Sequence, residues 1–321
     1  MIVRNLVLSL AAFILSLFII EGVLTAARYQ YTPMKIKAVN KTLDKYDWRD
    51  RHIFRDEDFL YDPYLIWRPK SNHSVFNAEG YRGRELKTHR RPGTYCVFTF
   101  GDSNTLGMRG VDGPNWPGYL EEELRGMGKD CLVVNAGIWG YTLFQGIRRF
   151  KEVVPLRPDM ALVCFGSNDA FRVVVEDKDY VLDRFGIKGS IYKYKTGLFL
   201  ISLRDRLYKQ KNVKLVPRVP VSDYDKYLNE MASLCEKHGI ELILLTRPFV
   251  GGTEDEFWWI NFGPRYNDVV RRVARDRHVK LVDLYEYFKD KEEYFADESH
   301  FTEEGHRAAA RLIRGEIWET P

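Results

Sequence analysis

The chain has 321 residues, of which 45% are hydrophobic, 14% aromatic and 29% charged. This composition excludes a disordered chain, a collagen-like fibre and a disulfide-stapled miniprotein. Forty-nine Lys and Arg against 45 Asp and Glu leave +4, too small an excess to argue for nucleic acid, and no such partner is expected.

A mean hydropathy of -0.36 excludes a polytopic membrane protein, yet one local segment escapes the average. From Leu6 to Ile20 the chain reads LVLSLAAFILSLFII, uncharged and interrupted only by serines. Carried past Glu21 to Ala27, the stretch is 22 residues, about 33 Å as a helix and enough to cross a bilayer core. The reading taken is a single uncleaved transmembrane anchor over residues 1–27. Its rival is a cleaved signal peptide followed by secretion, with Arg4 as the n-region and Thr25-Ala26-Ala27 as the small-residue site. A terminal segment apolar on every face suits lipid better than a protein core. Charge gives opposed cues to orientation. Arg28, Lys35, Lys37 and Lys41 after the segment outnumber Arg4 before it, which by the positive-inside count keeps the bulk of the chain in the cytoplasm. A very short basic tail before a signal-like core sends the bulk outward.

Residues 28–92 read as a connector. It is polar and aromatic at first, then punctuated by Pro63, Pro69, Gly80, Gly83 and Pro92, too often for regular structure. From Thr94 an α/β pattern begins, and residues 93–321 are expected to form one domain. Short apolar runs recur at Tyr95–Phe100, Cys131–Val134, Met160–Phe165, Ile240–Leu245 and Val279–Leu284. Helix-like stretches lie between them. In residues 222–238, Tyr224, Leu228, Met231 and Cys235 fall at three- and four-residue spacing, with Gly239 as the stop. Strands apolar on both faces, alternating with amphipathic helices, predict a parallel sheet covered on both sides. In such sheets the ligand site lies beyond the carboxyl ends of the strands. Cys96, Cys131 and Cys164 fall in these runs and Cys235 on a helix; no spacing suggests a disulfide framework or a metal site.

The strand ends carry the chemistry-bearing residues. Strand one runs into Gly101-Asp102-Ser103, which puts a serine hydroxyl at the sheet's carboxyl edge; the same residue types are also ordinary turn formers. Strand two ends in Asn135-Ala136-Gly137, and a glycine there lets a backbone N–H point into a site as an oxyanion donor. Strand three ends in Gly166-Ser167-Asn168-Asp169, adding an amide donor that could equally serve as a helix cap. After the last strand, Asp297 stands three residues before His300. An Asp so placed accepts the Nδ1–H and leaves Nε2 free to take a serine proton. His306 lies six residues further on, with no carboxylate or cysteine spacing to make a metal pair with His300.

The order of these blocks resembles the SGNH (GDSL-like) hydrolase family, over residues 94–316. The matching residues are Ser103 in Gly-Asp-Ser, Gly137 in Asn-x-Gly, Asn168 in Gly-x-Asn-Asp, and His300 with Asp297 in Asp-x-x-His. Asn104 departs from the pattern, standing where Leu or Ile is common. The resemblance implies a three-layer α/β/α flavodoxin-like sandwich around a parallel sheet. It also implies acyl transfer by Ser103, His300 and Asp297, with Ser103, Gly137 and Asn168 as the oxyanion hole and no cofactor or metal. Tyr61 to Glu85, with DPYLIW and FNAEGYRGRE, further resembles bacterial members that carry an N-terminal membrane helix. Many of those are exported and linked to cell-surface polysaccharides, so an extracytoplasmic, periplasmic domain is expected here.

The expected activity is that of an esterase on an acylated cell-surface glycan or lipid, or of an O-acyltransferase if a sugar hydroxyl replaces water. The alternative is a non-catalytic protein of the same fold, acting in the assembly of a polysaccharide-modification system. Phe257, Trp258, Trp259 and Phe262 in a long loop after strand four are candidates for an aromatic wall against the substrate, or for a loop cluster of their own. Residues 176–220 read as an insertion holding eleven Lys or Arg against five acids. Its Gly197–Leu203 run followed by RDRLYKQK suits a basic amphipathic helix on anionic lipid, a lid, or a solvated cap helix.

Overall fold

The structure, a computed structural model, describes residues 2–29, 58–62, 64–73, 75–107, 113, 115–173, 176–180, 194–207, 216–250 and 258–318. Residues 30–57 of the expected connector and residues 181–193 and 208–215 of the insertion, together with Phe257, lie outside the described residues. The chain divides into two compact units, residues 1–68 with 180–213 and residues 69–179 with 214–321.

In the first unit, helix α1 (Ile2–Ala26) contains a 23-residue stretch, Arg4–Ala26, long and apolar enough to cross a membrane. Strands β1 (Phe59–Asp62) and β2 (Ile66–Pro69) pair beside it in sequence as a two-stranded sheet. The punctuation of residues 61–92 predicts irregular backbone; the structure is irregular over most of the segment but pairs β1 with β2 at its start. Pro69 occupies the last position of β2, where a missing N–H costs little. The Asp62 carboxylate accepts the N–H groups of Tyr64 and Leu65, both at 2.7 Å, and so closes the turn between the strands. A single helical turn, Leu86–His89, follows in the second unit.

The second unit is built on five parallel strands: β3 (Tyr95–Gly101), β4 (Cys131–Asn135), β5 (Met160–Cys164), β8 (Glu241–Leu245) and β9 (Lys280–Val282). Their spatial order is β4-β3-β5-β8-β9, with a separate antiparallel pair of β6 (Arg172–Val173) and β7 (Val216–Pro217). The order reverses direction at β3, and at such a switch point the crevice beyond the strand ends opens. Register places Thr99 opposite Asn135 and Gly101 opposite Cys164, so β3, β4 and β5 deliver their carboxyl ends to one edge.

Both faces of the sheet are covered, as unbroken apolar strands require. On one, Val97, Val133, Leu162 and Ile243 pack with Trp116, Leu120 and Leu124 of α3 (Trp116–Gly126) and with Ala309, Ala310 and Ile313 of α9 (Glu303–Trp318). On the other, Phe98 and Phe100 stack, and Phe100 meets Phe150 of α4 (Leu143–Val153) edge-on at 5.4 Å. Burial of each such large side chain contributes roughly 1.5–3 kcal/mol. Thr142 and Gln145 start α4 with a reciprocal capping box. Helix α7 (Val221–His238) buries Tyr224, Leu228, Met231 and Cys235, the stripe its spacing predicts, and stops at Gly239. The result is a three-layer α/β/α sandwich with a central parallel sheet.

Candidate active site

The nucleophile turn is shaped by close contacts. Strand β3 ends at Gly101, where a Cβ would overlap Thr105 Oγ1 and stand 2.7 Å from the Cys164 carbonyl oxygen. Only glycine lets the one-turn helix α2 (Ser103–Leu106) fold back this tightly on the sheet edge. Asp102 caps that turn, its Oδ1 accepting the Asn104 N–H at 2.9 Å. Ser103, half-buried at the first position of α2, holds its Oγ 2.7 Å from His300 Nε2.

The histidine comes from the loop between β9 and α9. His300 Nδ1 lies 2.9 Å from each carboxylate oxygen of Asp297, whose Oδ1 also accepts the N–H groups of Ser299 and His300, both at 2.9 Å. Burial pushes the Asp297 pKa upward, but electrostatic attraction to His300 and these hydrogen bonds outweigh it and hold the carboxyl below its ordinary value. An ionised Asp297 fixes the proton on Nδ1, which leaves Nε2 as the acceptor facing Ser103.

The expected oxyanion donors converge on the same edge. Among the described residues, the Ser103 N–H has no hydrogen-bond partner. Asn168, on the one-turn helix α5 (Ser167–Ala170), donates one amide hydrogen to the Tyr141 carbonyl at 3.0 Å, leaving its second for a ligand. Gly137 is held against the nucleophile turn, since a Cβ there would be 2.7 Å from Leu106 N. Its N–H, however, donates to Asn135 Oδ1 at 3.0 Å. To serve an oxyanion, that hydrogen has to be shared with Asn135 or passed over.

Three further residues tie the site together. Arg247, at the end of β8 and fully buried, places Nε 2.9 Å from Asp102 Oδ2 and donates from Nη1 to the Ser299 carbonyl at 2.8 Å. It thus links the residue before the nucleophile to the residue before the histidine. Asn104 Oδ1 accepts the Phe301 N–H at 3.2 Å, a parallel link on the far side. Asp169, also fully buried, accepts the N–H groups of Leu143 (2.8 Å) and Gly166 (3.1 Å), and so sets the position of the Asn168 turn. Burial pushes its carboxyl up to about 8. The sequence marks Asn104 only as a departure from the family pattern and Asp169 only as a member of the strand-end block, and leaves Arg247 unmarked. The signal was a charged or amide side chain directly at a strand's carboxyl end.

The aromatic candidates are not placed in a loop. Trp258, Trp259 and Phe262 stand in the first two turns of helix α8 (Trp258–Asp276), and their side chains lie outside the described ones. The amphipathic stripe of Tyr266, Val269, Val270 and Val273 draws this segment into a helix on the core. His306 is buried within α9 with its ring edge-on to Phe301 at 5.5 Å; burial pushes its imidazole down to about 3, so it is neutral. The four cysteines are buried and unpaired, and burial raises the Cys96 and Cys131 thiols to about 11 and those of Cys164 and Cys235 to about 12.

Comparison with known proteins adds a lineage to this geometry. The profile of the GDSL-like Lipase/Acylhydrolase family matches residues 99–308, about two thirds of the chain. An arylesterase from Vibrio mimicus is 31% identical over 77 residues, which is 24% of this chain and 38% of that protein. The chain therefore spans well under half the length of that curated relative. An uncharacterized lipoprotein, YqeF, from Bacillus subtilis (strain 168) is 26% identical over 215 residues, 60% of this chain and 71% of the relative. Among solved structures, the acetylxylan esterase Axe2 from Geobacillus stearothermophilus superposes with a TM-score of 0.50 at 20% identity, covering 70% of this chain and 94% of its own. At that identity the likeness is one of fold.

Proposed function

Because the chain belongs to the GDSL-like lipase/acylhydrolase family, we propose that it is a serine-dependent ester hydrolase with Ser103 as nucleophile, His300 as base and acid, and Asp297 as orienting carboxylate. The observation that carries this reading is the unbroken line from Ser103 Oγ to His300 Nε2 (2.7 Å) and from His300 Nδ1 to Asp297 (2.9 Å).

In this mechanism Ser103 Oγ attacks the ester carbonyl carbon while its proton passes to Nε2. The carbonyl oxygen, now an anion, is bound by the Ser103 N–H and the free Asn168 amide hydrogen, with the Gly137 N–H turning from Asn135 as charge develops. Collapse of the tetrahedral species sends the Nε2 proton to the departing alkoxide, which leaves as an alcohol. A water then adds to the acyl-enzyme, gives a proton to Nε2, and the acid is released as Ser103 regains its hydrogen.

The substrate class we assign is an acylated carbohydrate, in keeping with the name of the acetylxylan esterase that shares the fold. Residues 93–321, interrupted by the insertion at 176–220, make up the hydrolase domain. Helix α1, long and apolar enough to span a bilayer, is read as a retained anchor. The relative named as a lipoprotein supports the placement of the site at the cell surface, on the extracytoplasmic side.

The deciding experiment is labelling with a fluorophosphonate, alongside acetate release from acetylated xylo-oligosaccharides. Labelling and release that vanish in Ser103→Ala are the expected outcome. A folded protein with neither turns the reading to a non-catalytic scaffold. Product analysis with a sugar acceptor present separates hydrolysis from acyl transfer.

A further inference from the structure

We propose that helix α6 (Lys195–Leu207) is a lipid-surface helix, docked onto the membrane anchor through Glu21 and laid along an anionic leaflet. The inference rests on the reading of α1 as a membrane span and adds a second membrane-contacting element to it.

Glu21 is the only charged residue between Arg4 and Arg28. Its carboxylate accepts the Lys195 N–H at 3.0 Å on one oxygen, and the Thr196 N–H and Thr196 hydroxyl, both at 2.8 Å, on the other. Two deficits cancel there. A carboxylate within an apolar span is costly unless its lone pairs are met by donors. The first-turn N–H groups of a helix lack intrahelical acceptors and favour a negative charge. Neither group finds such a partner in its own helix.

The contact is a line rather than a point. On α1 the half-buried positions in the span's second half are Leu17, Glu21 and Leu24, spaced by four and three and so on one face. The exposed Phe18, Ile19 and Val23 face elsewhere. On α6, Thr196 and Gly197 are buried, and Phe199 meets Tyr29, just past the end of α1, edge-on at 5.8 Å. Glu21 lies five residues before Ala26, about 7–8 Å inside the end of α1, which sets the start of α6 just inside that end of the span.

From that depth α6 has one course open to it. Thirteen residues measure roughly 20 Å, too short to span, so the helix runs along the surface. Leu200 and Leu203, three residues apart, are 55% and 36% exposed, an apolar strip suited to the acyl-chain boundary. Helix α6 itself carries Lys195, Arg204 and Arg206 against Asp205 alone, a charge that fits anionic headgroups. Cleavage after Ala27 would remove Glu21 and leave α6 uncapped, so the docked helix also calls for a segment that is retained.

The test uses the full chain with Leu203→Cys carrying a nitroxide, the four native thiols being buried, in phosphatidylcholine vesicles that contain phosphatidylglycerol. Collisional accessibility to oxygen is compared with accessibility to a nickel chelate by electron paramagnetic resonance. The expected result is a label reached by oxygen and shielded from nickel. Adding Glu21→Leu, which keeps α1 apolar and anchored, should reverse that preference. A nickel-accessible label on an intact, membrane-bound chain overturns the docking and leaves the anchor reading standing. A label that stays shielded in Glu21→Leu overturns the role of Glu21. An intact mass that begins beyond Ala27 overturns the anchor reading and the docking together.

Discussion

Asn104 Oδ1 accepts the backbone N–H of Phe301 at 3.2 Å, so the residue after the candidate nucleophile is bonded to the residue after the candidate base. These positions are 197 residues apart in sequence and meet at one sheet edge. The departure of Asn104 from the commoner Leu or Ile thus has a structural use, as a clamp between the two turns.

Asn104→Ala is expected to lower kcat by roughly ten- to a hundredfold with little change in KM, because it loosens the serine–histidine geometry without touching substrate. Asn104→Asp keeps an acceptor and should recover most of the rate. Steady-state kinetics on an acetyl ester separates the two parameters; a change in KM alone would contradict the clamp.

Arg247 and Asp102 form a buried pair, 2% and 1% exposed, with Nε to Oδ2 at 2.9 Å. Arg247→Met strands the Asp102 carboxylate in the core and should cost about 3–5 kcal/mol in urea unfolding. Pairing it with Asp102→Asn removes the stranded charge and should restore a large part of that loss. A strictly additive double variant would mean the two residues act apart.

Asn168→Ala removes one oxyanion donor and the bond to Tyr141 but no charge. The expected loss is on the order of 10²–10³ in kcat. The thermal midpoint should stay near that of the parent, since only one neutral hydrogen bond at a partly exposed site is lost.

Asp169 predicts a pH dependence of stability. Burial raises its folded pKa from 3.8 to about 8. Between those values the folded chain keeps a proton that the unfolded chain has released, so this residue's contribution falls as pH rises and is lost above about 8. Relative to Asp169→Asn, the parent should lose stability steadily from pH 5 to pH 8 in urea titrations. A parallel pair of curves would show that Asp169 is ionised in the folded state across that range.

What could be read in the sequence was whatever depends on near neighbours. Strands β3, β4, β5, β8 and β9 announced themselves as apolar runs because both faces of the sheet are covered, and the turns at their ends carried Ser103, Asn168 and His300 in plain view. Residues that act at long range gave no local sign. Thr246-Arg247-Pro248 has the look of a solvated loop, and its partner Asp102 is 145 residues away. Glu21 read only as an interruption of an apolar segment, since its partners stand 174 and 175 residues later. The start of α8 was hidden by the glycines and acids before it, which look like the continuation of a loop.

Among the described residues Asp102 makes no hydrogen bond to the candidate base; its carboxylate is shared between the Asn104 N–H and Arg247. The Gly-Asp-Ser signature therefore has two separable meanings, chemistry in the serine and architecture in the aspartate. In a descendant that gave up catalysis and kept the fold, Ser103 would be free to drift, while Asp102 and Arg247 would change only in concert. Such a pattern would mark a retired enzyme more reliably than the loss of the serine alone.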